Sequence, residues 1–291
     1  MRIGVIGLGA MGAGIAQNLS AKGFSVTVWD ISPEALARVG DGLTAADSAS
    51  TVIATSDVTI LSLPLASHVQ QTIRQALAAS AFDGAAKVII DSSTSEAAVS
   101  REMAALLADA GHGFLDAPVS GGPQGAANGS LSVMLGGDAA HVAQARPVLE
   151  AMAAKVTHVG PVGAGNIAKL VNNMLVACHM LTTAEGLRLA EAAGLPTADA
   201  LAVINSATGR SALSEIHFPN WVLSGSYDSG FSTGLMRKDL RLALELAAAS
   251  GADLPLAQLA GALWAKDRSG LNDSDDFMQM GNPAKGANHD Q

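Results

Sequence analysis

One cysteine, Cys178, stands in 291 residues, so no disulfide forms within the chain and the fold rests on packing. Cys178 falls on the apolar side of a predicted helix, which predicts a buried thiol rather than a nucleophile. Basic residues are in deficit: 17 Lys and Arg against 26 Asp and Glu give a net charge of −9, which excludes a broad nucleic-acid or anionic-membrane surface. Metal-ligand spacing is missing as well. His68, His112, His141, His158, His179, His217 and His289 form no HExxH or HxxxH pattern, so no metal site is expected. No apolar run reaches membrane-spanning length, and the start of the chain lacks the basic region and cleavage pattern of a secretory signal. A cytoplasmic location is the expectation. Internal repeats and low-complexity segments are also lacking.

What is present is apolar substance, with 49% hydrophobic and 15% charged residues in a length that accommodates two domains. The most specific local signal is Gly7-Leu8-Gly9-Ala10-Met11-Gly12, placed between the apolar run Arg2-Ile3-Gly4-Val5-Ile6 and a helical pattern over residues 12–22. Gly23 follows as a C′ residue, and a second strand, Ser25-Val26-Thr27-Val28-Trp29, comes next. In this setting the first glycine permits the tight turn, the second lets backbone approach a pyrophosphate, and the third lets helix and strand pack closely. The helix N-terminus then favours the diphosphate of a nicotinamide or flavin cofactor. Asp30, directly after the second strand, suits an adenine-ribose diol and would repel a 2′-phosphate, which favours NAD over NADP. Asp30 also stands where Ser32-Pro33-Glu34 predicts an N-cap and first-turn proline, so a capping role remains open beside the ribose role.

Up to about residue 160, short apolar strands alternate with helical stretches, the pattern of a parallel sheet covered on both faces. Further strands are expected at residues 58–63, stopped by Pro64, and at 87–90, 113–116 and 131–135. Ligands lie beyond the carboxyl ends of such strands, which makes Leu63, Pro64 and Leu65, with Ser93 and Thr94, candidates for lining a cofactor site. A loop over residues 117–126, containing Pro118-Val119-Ser120-Gly121-Gly122-Pro123, offers a hydroxyl and unhindered N–H groups suited to a carboxylate. On composition it reads equally as a simple turn. Beyond residue 162 helical periodicity dominates to about residue 268, which predicts an α/β Rossmann-type domain over 1–162 and an all-α domain over 163–291, with a mobile tail from about 282. A long helix at residues 164–193 joins the two halves. On it Ile167, Leu170, Val171, Met174, Cys178 and Leu181 gather on an expected apolar side, and Lys169, Asn172 and Asn173 on the other, facing either a cleft or water.

Together the fingerprint, Asp116-Ala117-Pro118-Val119-Ser120-Gly121-Gly122-Pro123, Gly163-Ala164-Gly165-Asn166-Ile167-Ala168-Lys169-Leu170-Val171-Asn172-Asn173 and Lys238-Asp239-Leu240 closely resemble the β-hydroxyacid dehydrogenase family over residues 1 to about 270. The resemblance implies that Lys169 is the catalytic lysine, that Ser120, Gly121 and Gly122 hold the substrate, and that Asn173 binds it one turn beyond Lys169. Thr94, Phe231, Lys238 and Asp239 match positions near the nicotinamide and substrate: Phe231 on the substrate side, and Thr94, Lys238 and Asp239 with the fingerprint residues Gly7, Leu8, Gly9, Ala10, Met11 and Gly12 on the cofactor side. The polar side of the long helix is thereby expected at the cleft. Gly14-Ile15 replaces the Pro-Met of many relatives, a change expected to affect packing. Arg210 is expected in a surface or interdomain ion pair.

The resulting expectation is an NAD-dependent oxidoreductase interconverting a short β-hydroxy acid and its semialdehyde, with 3-hydroxyisobutyrate-like substrates foremost. Alternatives are an NADP-linked glyoxylate or succinic semialdehyde reductase, and a dehydrogenase of threonate, glycerate or a sulfonate analogue. A non-catalytic NAD-binding regulator would need no Lys169. The helical half, rich in Ala and Leu, suggests a subunit contact, and the resemblance implies a homodimer or homotetramer acting on a small carboxylate-bearing substrate.

Overall fold

In the computed structural model, which describes residues 1–282, six strands lie parallel: β1 (Arg2–Ile6), β2 (Ser25–Trp29), β3 (Leu43–Ala45), β4 (Val58–Leu61), β5 (Val88–Asp91) and β6 (Gly113–Asp116). Their order is β3-β2-β1-β4-β5-β6. Strands β7 (Val119–Ser120) and β8 (Leu131–Gly136) follow; β8 runs antiparallel to β6 and β7, and β9 (Ala153–Gly160) pairs parallel with β8. The direction of winding reverses between β1 and β4, and at such a switch point the connections diverge and leave a crevice at the carboxyl edge.

Helices α1 (Ala10–Ala21), α2 (Pro33–Ala37), α3 (Ala49–Thr55), α4 (Ala66–Ala78), α5 (Ala97–Asp109), α6 (Gly122–Asn128) and α7 (Ala139–Met152) accompany the sheet. Side chains alternate across each strand. Val88 and Ile90 therefore join Ile15, Leu19, Val142 and Val148 in one core, while Ile89 joins Val52, Ile53, Val69, Ile73 and Met103 in the other. Burial on both faces explains why these strands read as continuous apolar runs.

Several expected elements shift. The strand expected at 58–63 ends at Leu61, and the loop expected over 117–126 contains β7 and the start of α6. Neither β3 nor β9 was expected: β3 is three residues long and exposed at two of them, and Lys155, Thr157 and His158 give the mostly exposed β9 no apolar signature. Ser32 caps α2 as expected, its hydroxyl accepting the Ala35 N–H at 3.2 Å.

The described chain falls into two compact units that divide at Lys169 and Leu170, seven positions beyond the expected 162. Helix α8 (Ala164–Ala192) begins in the first unit and runs into the second. The second unit adds α9 (Thr197–Ser206), a π-helix at Leu213–Val222, α10 (Thr233–Ser250), α11 (Pro255–Trp264), α12 (Lys266–Ser269) and a 3₁₀ turn at Phe277–Gly281. Its core gathers Ala177, Met180, Leu187, Phe218, Met236, Leu240, Trp264 and Phe277, with the Trp264 indole donating to the Ala177 carbonyl at 3.2 Å. Arg210 forms its surface ion pair with Glu215 at 3.5 Å. The expected mobile tail lies outside the described residues apart from Asn282.

The faces of α8 differ from the expectation. Its buried stripe is Asn166, Lys169, Leu170, Asn173, Ala177, Met180, Ala184 and Leu187, while Val171, assigned to the apolar side, is 46% exposed. Cys178 is half-buried rather than buried, and Ile167, Met174 and Leu181 are also intermediate. At 100° per residue the buried set spans about 100° of the helix, so the structure buries a mixed stripe in which Lys169 and Asn173 sit among apolar neighbours.

Candidate functional site

The turn between β1 and α1 sits at the switch point. Gly7 has φ +92°, a backbone state that disfavours side chains, and a Cβ there would lie 2.3 Å from the Ser62 carbonyl oxygen at the end of β4. A Cβ on Gly12 would come within 1.9 Å of the Gly7 carbonyl oxygen, whereas one on Gly9 would meet nothing within 4 Å. The first and third glycines are thus required by the protein's own backbone. The middle one leaves open space beside the start of α1, where a pyrophosphate can approach.

Asp30 serves this turn directly. Its Oδ2 accepts the Leu8 N–H at 2.5 Å and its Oδ1 accepts the Ser32 N–H at 2.8 Å. The carboxylate is therefore held against the glycine turn and the entry to α2 together, and each oxygen retains a lone pair for a ribose hydroxyl. Both roles left open by the sequence, ribose contact and local capping, are compatible with this geometry. Leu63 is drawn into the same region: its N–H donates to Ser93 Oγ at 2.9 Å, and its side chain lies beside Gly7. The Ser93 N–H in turn donates to Asp91 Oδ1 at 3.0 Å, fixing the loop that presents Thr94. At these strand ends Thr94 is half-buried and Pro64 is exposed.

Ser120, Gly121 and Gly122 occupy the junction of β7 and α6. Ser120 pairs in register with Ser132, and Gly121 and Gly122 have φ +126° and +63°. These conformations leave backbone N–H groups at the opening of a helix, a suitable arrangement for a carboxylate oxygen. Gly14 connects this loop to the cofactor turn. A Cβ there would lie 3.0 Å from the Ala127 nitrogen and 3.1 Å from the Ala126 side chain, so α1 and α6 touch.

The start of α8 is held by residues distant in sequence. Asp116, at the end of β6, is fully buried; its Oδ1 accepts the Gly163 N–H at 2.7 Å and its Oδ2 accepts the Asn166 N–H at 2.8 Å. Burial pushes the Asp116 carboxyl above its ordinary value, and these N–H bonds pull against that rise. Three positions past Asn166, Lys169 is 7% exposed. Within the second unit, Asn173 is 4% exposed and donates from Nδ2 to Asp239 Oδ2 at 2.6 Å. Lys238 lies 3.1 Å from Asp239 Oδ1 in an ion pair. Phe231 packs edge-on against Phe277 with centroids 5.3 Å apart, and its carbonyl accepts the Phe277 N–H.

Residues 2–160 match the family model described as the NAD binding domain of 6-phosphogluconate dehydrogenase, and residues 163–283 match that described as NAD-binding of NADP-dependent 3-hydroxyisobutyrate dehydrogenase. A probable 3-hydroxyisobutyrate dehydrogenase of Mycobacterium tuberculosis is 40% identical over 271 residues, 91% of each chain. The chain belongs to the β-hydroxyacid dehydrogenase family. An NAD-dependent L-serine dehydrogenase of Pseudomonas aeruginosa is 37% identical over 270 residues, 90% of this chain and 91% of that one. The solved structure of a Mycobacterium tuberculosis 3-hydroxyisobutyrate dehydrogenase with L-serine matches with a TM-score of 0.89 at 38% identity, covering 97% of this chain and 98% of that one.

Membership makes this protein an NAD-linked hydroxyacid dehydrogenase. The turn fits the cofactor on its own geometry, since Gly9 opens onto empty space and the Asp30 carboxylate is fixed beside it. Among the described residues no helix is long and apolar enough to cross a membrane. Asp116, Asn166 and Ser95 are the residues that sequence reasoning passed over. The first two lie inside the quoted family motifs, but their partners are 47 to 71 positions away, so no local capping pattern announces them.

Proposed function

We propose that this β-hydroxyacid dehydrogenase oxidises the primary alcohol of a 3-hydroxyisobutyrate-like acid to its semialdehyde. The observation carrying this reading is the burial of Lys169 and Asn173 on one stripe of α8, because a helix facing only water would leave an ammonium and an amide hydrated. The names of the two kinds of relatives support the substrate class. 3-Hydroxyisobutyrate and L-serine both carry a CH₂OH group on the carbon that bears the carboxylate, and they differ in a methyl or an ammonium substituent on that carbon.

In this reading the Ser120 hydroxyl and the N–H groups of Gly121 and Gly122 hold the carboxylate, and the Asn173 amide orients the alcohol oxygen. Asp239 keeps that amide in place through its 2.6 Å hydrogen bond. Lys169, as the neutral amine, takes the hydroxyl proton as the carbon–hydrogen bond breaks; in the reverse direction its ammonium returns the proton to the carbonyl oxygen. Held at the glycine turn by residues 7–12 and Asp30, NAD would supply the hydride acceptor for this oxidation. The remaining work of the chain is alignment of the reacting groups, supplied by rigid turns and buried hydrogen bonds. Phe231, Thr94 and Lys238 complete the proposed surroundings of substrate and nicotinamide.

Asp30 favours NAD in this proposal, because a 2′-phosphate would meet its carboxylate beside the glycine turn. Steady-state kinetics with 3-hydroxyisobutyrate, L-serine, glycerate, threonate and a sulfonate analogue, each with NAD and NADP, test the whole reading. The highest kcat/KM is expected for 3-hydroxyisobutyrate with NAD. A higher value for glycerate, threonate or the sulfonate, or a preference for NADP, rejects the corresponding part.

A further inference from the structure

Asn166 has its polar atoms committed in a buried setting. It is fully buried; its Oδ1 accepts the Ser95 N–H at 2.9 Å, and its Nδ2 donates to Ser100 Oγ at 3.0 Å and toward Ser95 Oγ at 3.4 Å. Its own N–H goes to Asp116 Oδ2. One residue thus ties together the end of β6, the loop after β5, the first part of α5 and the first turn of α8. The backbone is pinned from below as well. A Cβ on Gly165 would lie 2.4 Å from the Met134 carbonyl oxygen and 2.6 Å from the Asp116 carbonyl oxygen, so α8 begins directly on the strands.

A helix start leaves four N–H groups without intrahelical acceptors, and the usual local remedy is a serine or aspartate at its own N-cap, which takes one of them. Here the cap comes from another strand, and the side chain in the first turn reaches back to the loop that carries Thr94. The arrangement fixes the loop and the helix relative to each other, beyond what helix stability requires. Lys169 stands three residues along that helix, so any axial slip or rotation of the first turn moves it directly.

We infer that Asn166 is a positioning residue for Lys169, its side chain stapling the Thr94–Ser95 loop to the first turn of α8 and thereby setting the place of the proton-transferring amine. The inference rests on the acid/base reading of Lys169. Misplacement of a reacting group by about 1 Å costs about 10²-fold in rate, which scales the expected effect.

A double-mutant cycle in kcat for the hydroxy acid tests this, with NAD affinity followed by calorimetry and folding by thermal melts. Asn166→Ala should lower kcat by about 10- to 100-fold in the wild-type background and cause no further loss in a Lys169→Met background. Two groups that act as a unit give such non-additivity, whereas loss of general folding quality lowers both backgrounds alike. Equal losses in both backgrounds, or an unchanged kcat in Asn166→Ala, overturn the inference while leaving Lys169 as the acid/base. Near-normal kcat in Lys169→Met alone removes the acid/base reading and the inference with it. Should Asn166→Ala fail to fold, Ser100→Ala removes only the nearer of the two Nδ2 acceptors, and the same non-additive pattern at smaller amplitude is required of it; additivity there overturns the inference.

Discussion

Asn173 and Asp239, 66 positions apart in sequence, meet through a 2.6 Å hydrogen bond between Nδ2 and Oδ2 inside the second unit, with Asp239 only 1% exposed. The carboxylate accepts the amide proton and so fixes which end of the Asn173 amide faces away from it. Leaving a buried donor unpaired costs about 1–3 kcal/mol, equivalent to roughly 5- to 150-fold in an equilibrium or rate. Asp239→Ala should therefore lower kcat/KM for the hydroxy acid within that range. Asp239→Asn, whose carbonyl oxygen still accepts, should fall between it and the wild type. Equal activity in all three proteins would show that the pairing does not serve the substrate.

Lys169→Met keeps the length and the apolar stem while removing the amine. Because general acid/base catalysis contributes about 10²–10⁴-fold, kcat should drop by that order with NAD affinity, read by calorimetry, nearly unchanged. Retained kcat, with chemistry shown to limit turnover, contradicts the proton-transfer role.

Replacing Asp30 by alanine removes the acceptor of both the Leu8 and the Ser32 N–H groups and any ribose contact. The ratio of kcat/KM for NAD to that for NADP should fall by about tenfold or more, since a hydrogen bond to a charged group contributes about 1.5–3 kcal/mol. A wild-type enzyme that already prefers NADP defeats this prediction.

Ser120→Ala should raise KM for the hydroxy acid by about 10- to 150-fold, the range for losing one hydrogen bond to a carboxylate, and leave NAD binding intact. An unchanged KM across every active acid would place the anchor elsewhere.

His112 gives a pH dependence of stability rather than of chemistry. It is buried at the start of the strand β6, its Nδ1 accepts the Lys87 N–H at 3.1 Å, and burial followed by the nearby Lys87 charge lowers its pKa. Since the unfolded chain binds the proton more readily, stability is full above the unfolded value near 6.5 and is lost as pH falls from there toward the lowered folded value. Thermal melts of wild type should show Tm decreasing from pH 7.5 to 5.5 by more than melts of His112→Asn, which keeps an acceptor without the titration. Parallel Tm curves would assign the acid sensitivity to other groups.

Local signals in the sequence were legible where the physics is local. Gly7, Gly9 and Gly12 lie within one turn of chain, and the crowding around the first and third explains why their spacing carried so much information. The parallel strands β1, β2, β4, β5 and β6 were legible because their buried faces leave little room for polar residues, whereas β3 and β9 escaped because their side chains are mostly exposed. For α8 the difficulty was different. Sorting residues by polarity placed Lys169 and Asn173 opposite the core, and the burial of Asn173 is made favourable by a partner 66 positions away, Asp239. The Asp116 clamp was unreadable for a related reason, since its acceptor and donors are adjacent in space and remote in the chain.

The contact at Gly14 makes the first unit a calibrated instrument. With α1 bearing the dinucleotide turn and α6 bearing the Ser120 loop, the absent side chain at position 14 acts as the thinnest available shim between two jaws. A methyl group there would already crowd Ala126 and Ala127, so a larger residue at position 14 has room only if α6 moves away from α1. On the proposed reading, the spacing between the substrate loop and the dinucleotide turn would answer to this one position, which belongs to neither.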